Sequence, residues 1–213
     1  MKPTFNAIST AGQKTISPTF DTLGFFARSI EDLQLLADAF ALQDDEPPRD
    51  MPLDEISVAV IRTPMWSSAG LGTVSAMKLA ATILLKNKVK VKQVSLPPEA
   101  ANVEALSRIQ KVIIHGEAQV SFLSEYRVDK ENLAAEIRDM LENTSNITHK
   151  EMIDAYDTYS KMREMVNKLA ENYTVILTPS AVDEAPLGLG DMGNPTFNTL
   201  WTVSDSVVLC LTR

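Results

Sequence analysis

The chain has 213 residues, of which 45% are hydrophobic and 23% are charged, a composition that supports a buried core and argues against intrinsic disorder. The formal net charge is −8, from 28 acidic and 20 basic residues, which disfavours nucleic-acid phosphates and anionic membrane surfaces as partners. The single cysteine, Cys210, excludes an intrachain disulfide. Since no signal segment or membrane-length apolar run is visible, we expect a cytoplasmic protein that binds neither nucleic acid nor membrane.

The first 28 residues are rich in Ser, Thr, Pro and Gly and predict an extended loop. Ser29 then begins a helix, because its hydroxyl can cap the backbone amide of Asp32. One face of this helix is apolar and is expected to be buried; it carries Ile30, Leu33, Leu36 and Phe40. Residues 44–52 are polar and rich in proline, and we predict a linker there.

Residues 56–94 predict a strand, a helix and a second strand. Ile56 to Ile61 is short, apolar and β-branched, which is typical of a strand buried on both faces. A helix follows Gly70, and Val89 to Lys92 alternates as a strand does. This order indicates a βαβ unit. The evenly spaced lysines predict a solvated edge that discourages strand pairing, and they are Lys86, Lys88, Lys90 and Lys92.

Helical spacing dominates the second half of the chain. Long apolar periodicity predicts helices over 103–123 and 129–142. Thr148 with Glu151 forms a capping box that begins a third helix, over 148–172. Its buried stripe is expected to contain Met152, Ala155, Tyr159, Met162, Val166 and Leu169.

The last predicted elements are short. They are a strand over 173–177, a helical turn over 198–202 and a final strand over 207–211.

Chemistry-bearing motifs are absent from the sequence as read from its residues. It contains no Gly-x-Ser-x-Gly elbow, phosphate loop or dinucleotide fingerprint. His115, His149 and Cys210 do not have metal-ligand spacing. Asp183 and Glu184, like Asp44 and Asp45, are most simply solvated loop charges. We therefore predict no catalytic residue, no cofactor and no metal site; composition and periodicity alone stop at an α/β protein.

Two motifs indicate a family. Lys2-Pro3-Thr4 precedes a longer segment, Ser17-Pro18-Thr19-Phe20-Asp21-Thr22-Leu23-Gly24 with Ala27-Arg28-Ser29-Ile30-Glu31-Asp32. Their order and spacing resemble the amidase signature family, especially its fungal members. Near the other end, two further stretches resemble the family's late strand and a substrate-side segment. They are Val175-Ile176-Leu177-Thr178-Pro179 and Asn194-Pro195-Thr196-Phe197-Asn198-Thr199-Leu200-Trp201-Thr202.

Structural roles also explain the motif residues. Asp21 is expected to accept hydrogen bonds from turn amides. Gly24 is expected to supply a positive φ. Arg28 is expected to pair with Asp32 across one helical turn.

The resemblance implies a partial α/β/α sandwich, with a mixed central sheet flanked by helices. It also implies amide C–N hydrolysis, in which a serine attacks, a second serine on a cis peptide relays the proton and a lysine acts as base. In the family these groups lie upstream of the Lys-Pro-Thr segment. Lys2 belongs to that segment and does not match the catalytic lysine, so no catalytic residue is carried over to this chain.

We therefore expect residues 1–213 to form a single, incomplete amidase-like domain that is inactive alone. A small-molecule amide becomes a ligand only when a catalytic half is supplied. Two alternatives stay open: a non-catalytic interaction or regulatory protein on an amidase-derived scaffold, and a fragment that complements a separate catalytic half. Exposed core surface is expected to drive self-association, with Ile56 to Ile61 as the exposed strand.

Overall fold

The structure, a computed structural model, describes residues 1–42 and 50–204. Most of the predicted linker over 44–52 and the predicted strand over 207–211 lie outside these ranges, as do Cys210, Asp44 and Asp45. The described elements, in chain order, are α1 (Ile30–Ala39), β1 (Ser57–Ile61), α2 (Leu71–Lys86), β2 (Lys90–Val94), α3 (Val103–Ser121), α4 (Leu123–Asp129), α5 (Ala135–Leu141), α6 (His149–Ala170), β3 (Val175–Leu177) and α7 (Thr199–Val203).

The three described strands form one parallel sheet in the order β2-β1-β3. Ser57 of β1 is opposite Lys90 of β2, and Val58 is opposite Val175 of β3. The β1-α2-β2 segment is therefore the predicted βαβ unit, and the predicted α/β class with flanking helices is confirmed. Every pairing between the described strands is parallel.

The position of β1 corrects one prediction. Residues 56–61 were expected to form the exposed strand, but β1 lies between the other two described strands, and Ala59 and Ile61 are fully buried. A strand that is apolar on both faces is stable when helices cover both faces and strands pair on both sides. Among the described strands, β2 is at one edge, where Lys90 and Lys92 are exposed as the lysine pattern predicted.

Side chains alternate between the two faces of the sheet. On one face, Val60 and Val91 approach the inner side of α2 around Met77. On the other face, Lys92 and Val94 border an open groove of about 720 Å³ beside the last turns of α6. This alternation follows from the two-residue period of a strand, and it gives the unit a helix on each side.

The chain divides into two compact units. The first draws on Met1–Pro47 and Ser107–Ser160, and the second on Pro48–Leu106 and Lys161–Ser204. The single domain over residues 1–213 stays a prediction.

Two helices, α1 and α6, begin at the capping residues that the sequence predicted. The Ser29 hydroxyl accepts a hydrogen bond from the Asp32 amide at 3.0 Å. At α6, the Glu151 amide donates to the Thr148 hydroxyl at 3.2 Å, and the Glu151 carboxylate accepts from the Thr148 amide at 2.9 Å, which completes the capping box. The predicted stripe of α6 is confirmed at its four buried positions, Ala155, Tyr159, Met162 and Val166.

Two helix predictions were wrong in part. The helix predicted over 129–142 begins only at Ala135; before it, the side-chain amide of Asn132 donates to the Asp129 carboxylate at 2.6 Å and Leu133 is extended. Asn and Asp side chains compete in this way with helical hydrogen bonding. In α1, only Leu33 of the apolar stripe is fully buried, whereas Ile30 and Phe40 are exposed.

Candidate functional site

Met1, which precedes the first motif segment, pairs through its backbone with Phe25, which follows Gly24 of the second segment. The amino group of Met1 donates to the Phe25 carbonyl at 2.6 Å, and the Phe25 amide donates back to the Met1 carbonyl at 2.8 Å. Gly24 does not take a positive φ, so the role predicted for it was wrong. Glycine suits this position because the backbone of Met1 is close: a Cβ on Gly24 would lie 3.1 Å from the Met1 carbonyl oxygen.

The Asp21 carboxylate organises the turn that starts the second motif segment. Its Oδ2 accepts hydrogen bonds from the amides of Ile16 at 2.7 Å and Ser17 at 3.2 Å, as predicted for a turn-capping carboxylate. The Arg28–Asp32 pair expected from sequence does not form an ion pair within the described ranges. This turn brings Ser17 and Thr19 towards a second carboxylate.

That second carboxylate belongs to Glu117, in the C-terminal half of α3. Its Oε2 accepts from the Ser17 hydroxyl at 2.6 Å and from the Thr19 amide at 3.0 Å. Its Oε1 accepts from the Thr19 hydroxyl and from the Tyr156 hydroxyl of α6. Four donors from two chain segments therefore converge on one side chain. We call these four residues, Ser17, Thr19, Glu117 and Tyr156, the Glu117 cluster.

Hydrogen bonding sets the charge state of the cluster. Burial would raise the pKa of Glu117, but the bonds from Ser17, Thr19 and Tyr156 together outweigh it, and the pKa lies below its ordinary value. Burial and the bond to Glu117 raise the pKa of Tyr156 to about 12. Glu117 is therefore ionised and Tyr156 protonated at neutral pH, which is the state in which each hydrogen bond has a donor and an acceptor.

The Ser17–Glu117 pair does not form a nucleophile with its base. A carboxylate whose pKa is depressed is a poor proton acceptor, whereas a general base works best with a pKa near the operating pH. Ser17 is also only 1% exposed, so a substrate carbonyl cannot reach its hydroxyl. The cluster therefore fixes the motif segment to α3 and α6.

Close helix packing supports the same arrangement. A Cβ on Gly116 would lie 2.4 Å from the Met152 methyl group, so α3 approaches α6 here at a distance that only glycine permits with Met152 in place. Phe20 packs edge-on against Tyr159, with ring centroids 5.5 Å apart. Gly116 and Phe20 are adjacent in sequence to Glu117 and Thr19, so these contacts hold the same segments together beside the half-buried cluster.

The two histidines lie on different helices. His115 lies on α3; burial and Lys111 lower its pKa against an opposing effect of Asp139, and its buried Nδ1 has no hydrogen-bond partner in the described structure. His149 is the first residue of α6. Within residues 1–42 and 50–204, no group of three or more His, Cys, Asp or Glu side chains is placed to hold a metal ion.

Asp183 is more than the solvated loop charge predicted from sequence. Although it is exposed, its Oδ1 accepts from the Gly72 amide at 3.0 Å, in the first turn of α2. The Gly70 amide donates to the Val182 carbonyl at 2.7 Å, and the Thr73 hydroxyl donates to the Ala181 carbonyl at 2.9 Å. The loop that follows β3 is thus attached to the N-terminus of α2, where a negative charge is favourable.

Sequence reasoning missed both the Glu117 cluster and the Asp183 attachment. Ser17 and Glu117 are 100 residues apart, and Gly72 and Asp183 are 111 apart. No local pattern reports a contact of that separation. The visible signals were indirect: the Ser17-Pro18-Thr19 motif, and two glycines flanking Leu71 at a helix start.

Comparison with known proteins identifies the family of the chain. The sequence matches the Amidase family over residues 1–210. No curated protein sequence matches the chain. One solved amidase is similar in fold, with a TM-score of 0.77 and 19% identity over 96% of this chain and 48% of that one. In the described part of the chain, no helix is long and apolar enough to cross a membrane.

Two further structures show the same fold. A glutamyl-tRNA(Gln) amidotransferase subunit from Thermotoga maritima has a TM-score of 0.66 and 17% identity, over 96% of this chain and 48% of that one. A structure of an unexpected vestigial protein complex, which reveals the evolutionary origins of an s-triazine catabolic enzyme, has a TM-score of 0.73 and 20% identity over 96% and 48%. The chain spans about half the length of each of these structures, and the family match over residues 1–210 shows that it belongs to the amidase family.

Proposed function

We propose that this chain supplies one half of an amidase-family fold and does not hydrolyse amides by itself. The observation that carries the proposal is coverage: 96% of the chain aligns with only 48% of a solved amidase. In the family that the sequence resembles, the serine–serine–lysine set precedes the segment that matches Lys2-Pro3-Thr4. A small-molecule amide is therefore a ligand of the assembled fold and not of this half.

The described side chains support this proposal. Ser17 with Glu117 is the one serine–carboxylate hydrogen bond between distant parts of the described chain, and it is buried and holds a weak base. The Thr73 hydroxyl bonds to a backbone carbonyl and attaches the loop after β3. Acyl transfer needs a nucleophile that is paired with an effective base and is accessible to substrate, and the buried Ser17 with its weakly basic Glu117 meets neither condition.

Labelling with a fluorophosphonate tests the proposal directly. The purified chain is expected to take up no probe and to hydrolyse neither an aryl amide nor an aliphatic amide above a matched blank. An intact amidase-family enzyme in the same assay serves as the positive control. Stoichiometric, heat-sensitive labelling of one serine would contradict the proposal, and loss of that labelling in Ser17→Ala would identify Ser17 as the nucleophile.

Exposed apolar side chains suggest how the half is completed. Leu71, Ile83 and Leu85 of α2 are at least half exposed, although α2 is a helix of the amidase fold. We infer that an additional amidase segment covers such surface and that the chain self-associates without it. Sedimentation with an apolar-surface dye is expected to show oligomers and dye binding. Co-expression with the upstream half of an amidase-family enzyme is expected to reduce both, and a monomer that binds no dye argues against this inference.

A non-catalytic interaction protein is the second candidate function. The observation that favours it is the similarity to a structure from a vestigial protein complex. Under this alternative the chain is expected to form a stable complex that has no amide hydrolase activity, whereas complementation is expected to restore hydrolysis. Activity assays on the purified complex separate the two functions.

A cytoplasmic location, proposed here from composition, is tested by fractionation of the cells that make the protein.

A further inference from the structure

A small cavity lies between α2 and the face of the sheet. Its volume is about 170 Å³. On α2 the lining residues Val74, Met77 and Ala81 follow helical spacing, so one side of the helix borders the space. The sheet contributes Val60 and Val91. An apolar gap therefore lies between this part of α2 and the sheet.

The volume of the gap limits what it can hold. An apolar cavity of about 150 Å³ is large enough to bind benzene. The space beside Met77 therefore matches one six-membered ring, and it is smaller than the roughly 300 to 1,000 Å³ of sites for drug-sized ligands. A ring buried there would contact aliphatic side chains on both sides.

The polar side chains that line the cavity are two cations and one amide: Arg62, Lys78 and Gln93. All three residues are exposed, and no acidic side chain of the described ranges lines the cavity. The Arg62 guanidinium lies 4.9 Å from the ring centroid of Trp66. Within the described ranges, neither Arg62 nor Lys78 forms an ion pair with a carboxylate. Among the described residues, the site thus has positive charge without a carboxylate counter-ion.

We propose that this cavity binds a small aryl carboxylate, for which benzoate is the simplest probe. The ring lies between α2 and the sheet, and the carboxylate accepts hydrogen bonds from Arg62. A planar guanidinium can donate two parallel hydrogen bonds to a carboxylate, and stacking on Trp66 restricts its orientation before the ligand arrives. Lys78 adds a second positive charge, and Gln93 adds an uncharged donor. The site requires no hydrolysis and is independent of the proposed function.

Methyl NMR of the chain labelled at methionine tests the proposal. Met77 borders the cavity, so a bound aromatic ring shifts its methyl resonance, which is assigned with Met77→Leu. Titration with sodium benzoate is expected to give a saturable shift of this resonance. Benzamide keeps the ring but lacks the charge, and its affinity is expected to be at least tenfold lower. Equal affinities for benzoate and benzamide, or the absence of a saturable shift, would overturn the proposal.

Two variants and a matched control locate the ligand. Arg62→Gln, at an exposed position, is expected to weaken benzoate binding about tenfold while benzamide binding is unchanged. Lys86→Gln removes a positive charge at the far end of α2, outside the cavity, and is expected to leave the affinity unchanged. Ala81→Leu fills the gap and is expected to abolish the Met77 shift. Equal loss of affinity in Arg62→Gln and Lys86→Gln would show nonspecific attraction and overturn the proposal, whether or not Ala81→Leu folds.

Discussion

Two carboxylates fix loops to helices in different units of this molecule, and they do so under different conditions. Glu117 is half-buried and accepts hydrogen bonds from Ser17, Thr19 and Tyr156. Asp183 is exposed and accepts one hydrogen bond, from the Gly72 amide. A carboxylate removed from water needs its full set of donors, because desolvation is costly, whereas water can replace a lost partner at an exposed site. We therefore expect loss of the Glu117 carboxylate to destabilise the fold more than loss of the Asp183 carboxylate does.

The largest expected effect comes from a carboxylate placed where no donors exist. Met162 is 2% exposed in α6. Met162→Asp is expected to lower the free energy of unfolding by roughly 3 kcal/mol or more, because an unpaired charge is buried. Lys161→Asp, at the exposed neighbouring position, is the matched control and is expected to change it by about 0.5 kcal/mol or less. Urea denaturation measures both, and equal effects would show that the surface of α6 at Met162 is not buried.

Removing the Glu117 carboxylate is expected to have the next largest effect. Glu117→Ala leaves the hydroxyls of Ser17 and Tyr156 and the Thr19 amide without their acceptor. The free energy of unfolding is expected to fall by about 2 to 3 kcal/mol. Tyr156→Phe removes one donor and leaves the carboxylate, so about 1 kcal/mol is expected. If the two variants are equally stable, the carboxylate does not organise this cluster.

The pH dependence of stability sharpens the comparison. The folded-state pKa of Glu117 lies below its ordinary value of 4.5, because its hydrogen bonds outweigh burial. Its stabilising contribution is therefore fully present above pH 4.5 and is lost as the pH falls through the folded-state pKa. Glu117→Gln is expected to lack this part of the acid dependence, as thermal unfolding between neutral pH and about pH 3 can measure. Identical slopes in the two proteins would contradict the assignment.

The smallest effects are expected at Asp183. Asp183→Ala is expected to cost about 1 kcal/mol or less, because the attachment is exposed. A Cβ at Gly72 would lie 2.3 Å from the Asp183 Oδ1, so Gly72→Ala displaces the carboxylate. The double variant is expected to be less destabilised than the sum of the single variants, because the methyl group then enters vacated space. Strictly additive changes in the free energy of unfolding would show that the two positions do not interact.

Local patterns predicted those parts of the fold whose determinants are close in sequence. The β1-α2-β2 segment and the buried stripe of α6 follow from strand and helix periodicity over a few turns. The sequence placed the break between residues 123 and 129 instead of between α4 and α5, because a side-chain contact, from Asn132 to Asp129, competes with helical hydrogen bonding where the periodicity continues. The central position of β1 was missed because strand order depends on partners elsewhere in the chain.

The candidate sites were harder to predict, because their members are far apart in sequence. Ser17 was visible as part of a motif, whereas Glu117 belongs to none of the motifs that the sequence analysis identified. Their hydrogen bond exists because folding brings the N-terminal segment to α3 across 100 residues. The cavity beside Met77 depends on how closely α2 approaches the sheet, which is a property of packing and not of periodicity.

The parallel pairing of β1 with β3 has a consequence for synthesis on the ribosome. Ser57 and Thr174, which join these strands through the Ser57 amide, are 117 residues apart. During synthesis, β1 therefore cannot pair with β3 until more than half of the chain has been made. At about 5 to 20 residues per second this interval lasts roughly 6 to 23 seconds, during which one side of an apolar strand has no partner. Pairings of such long range form slowly, and the nascent chain is expected to depend on chaperones throughout that interval.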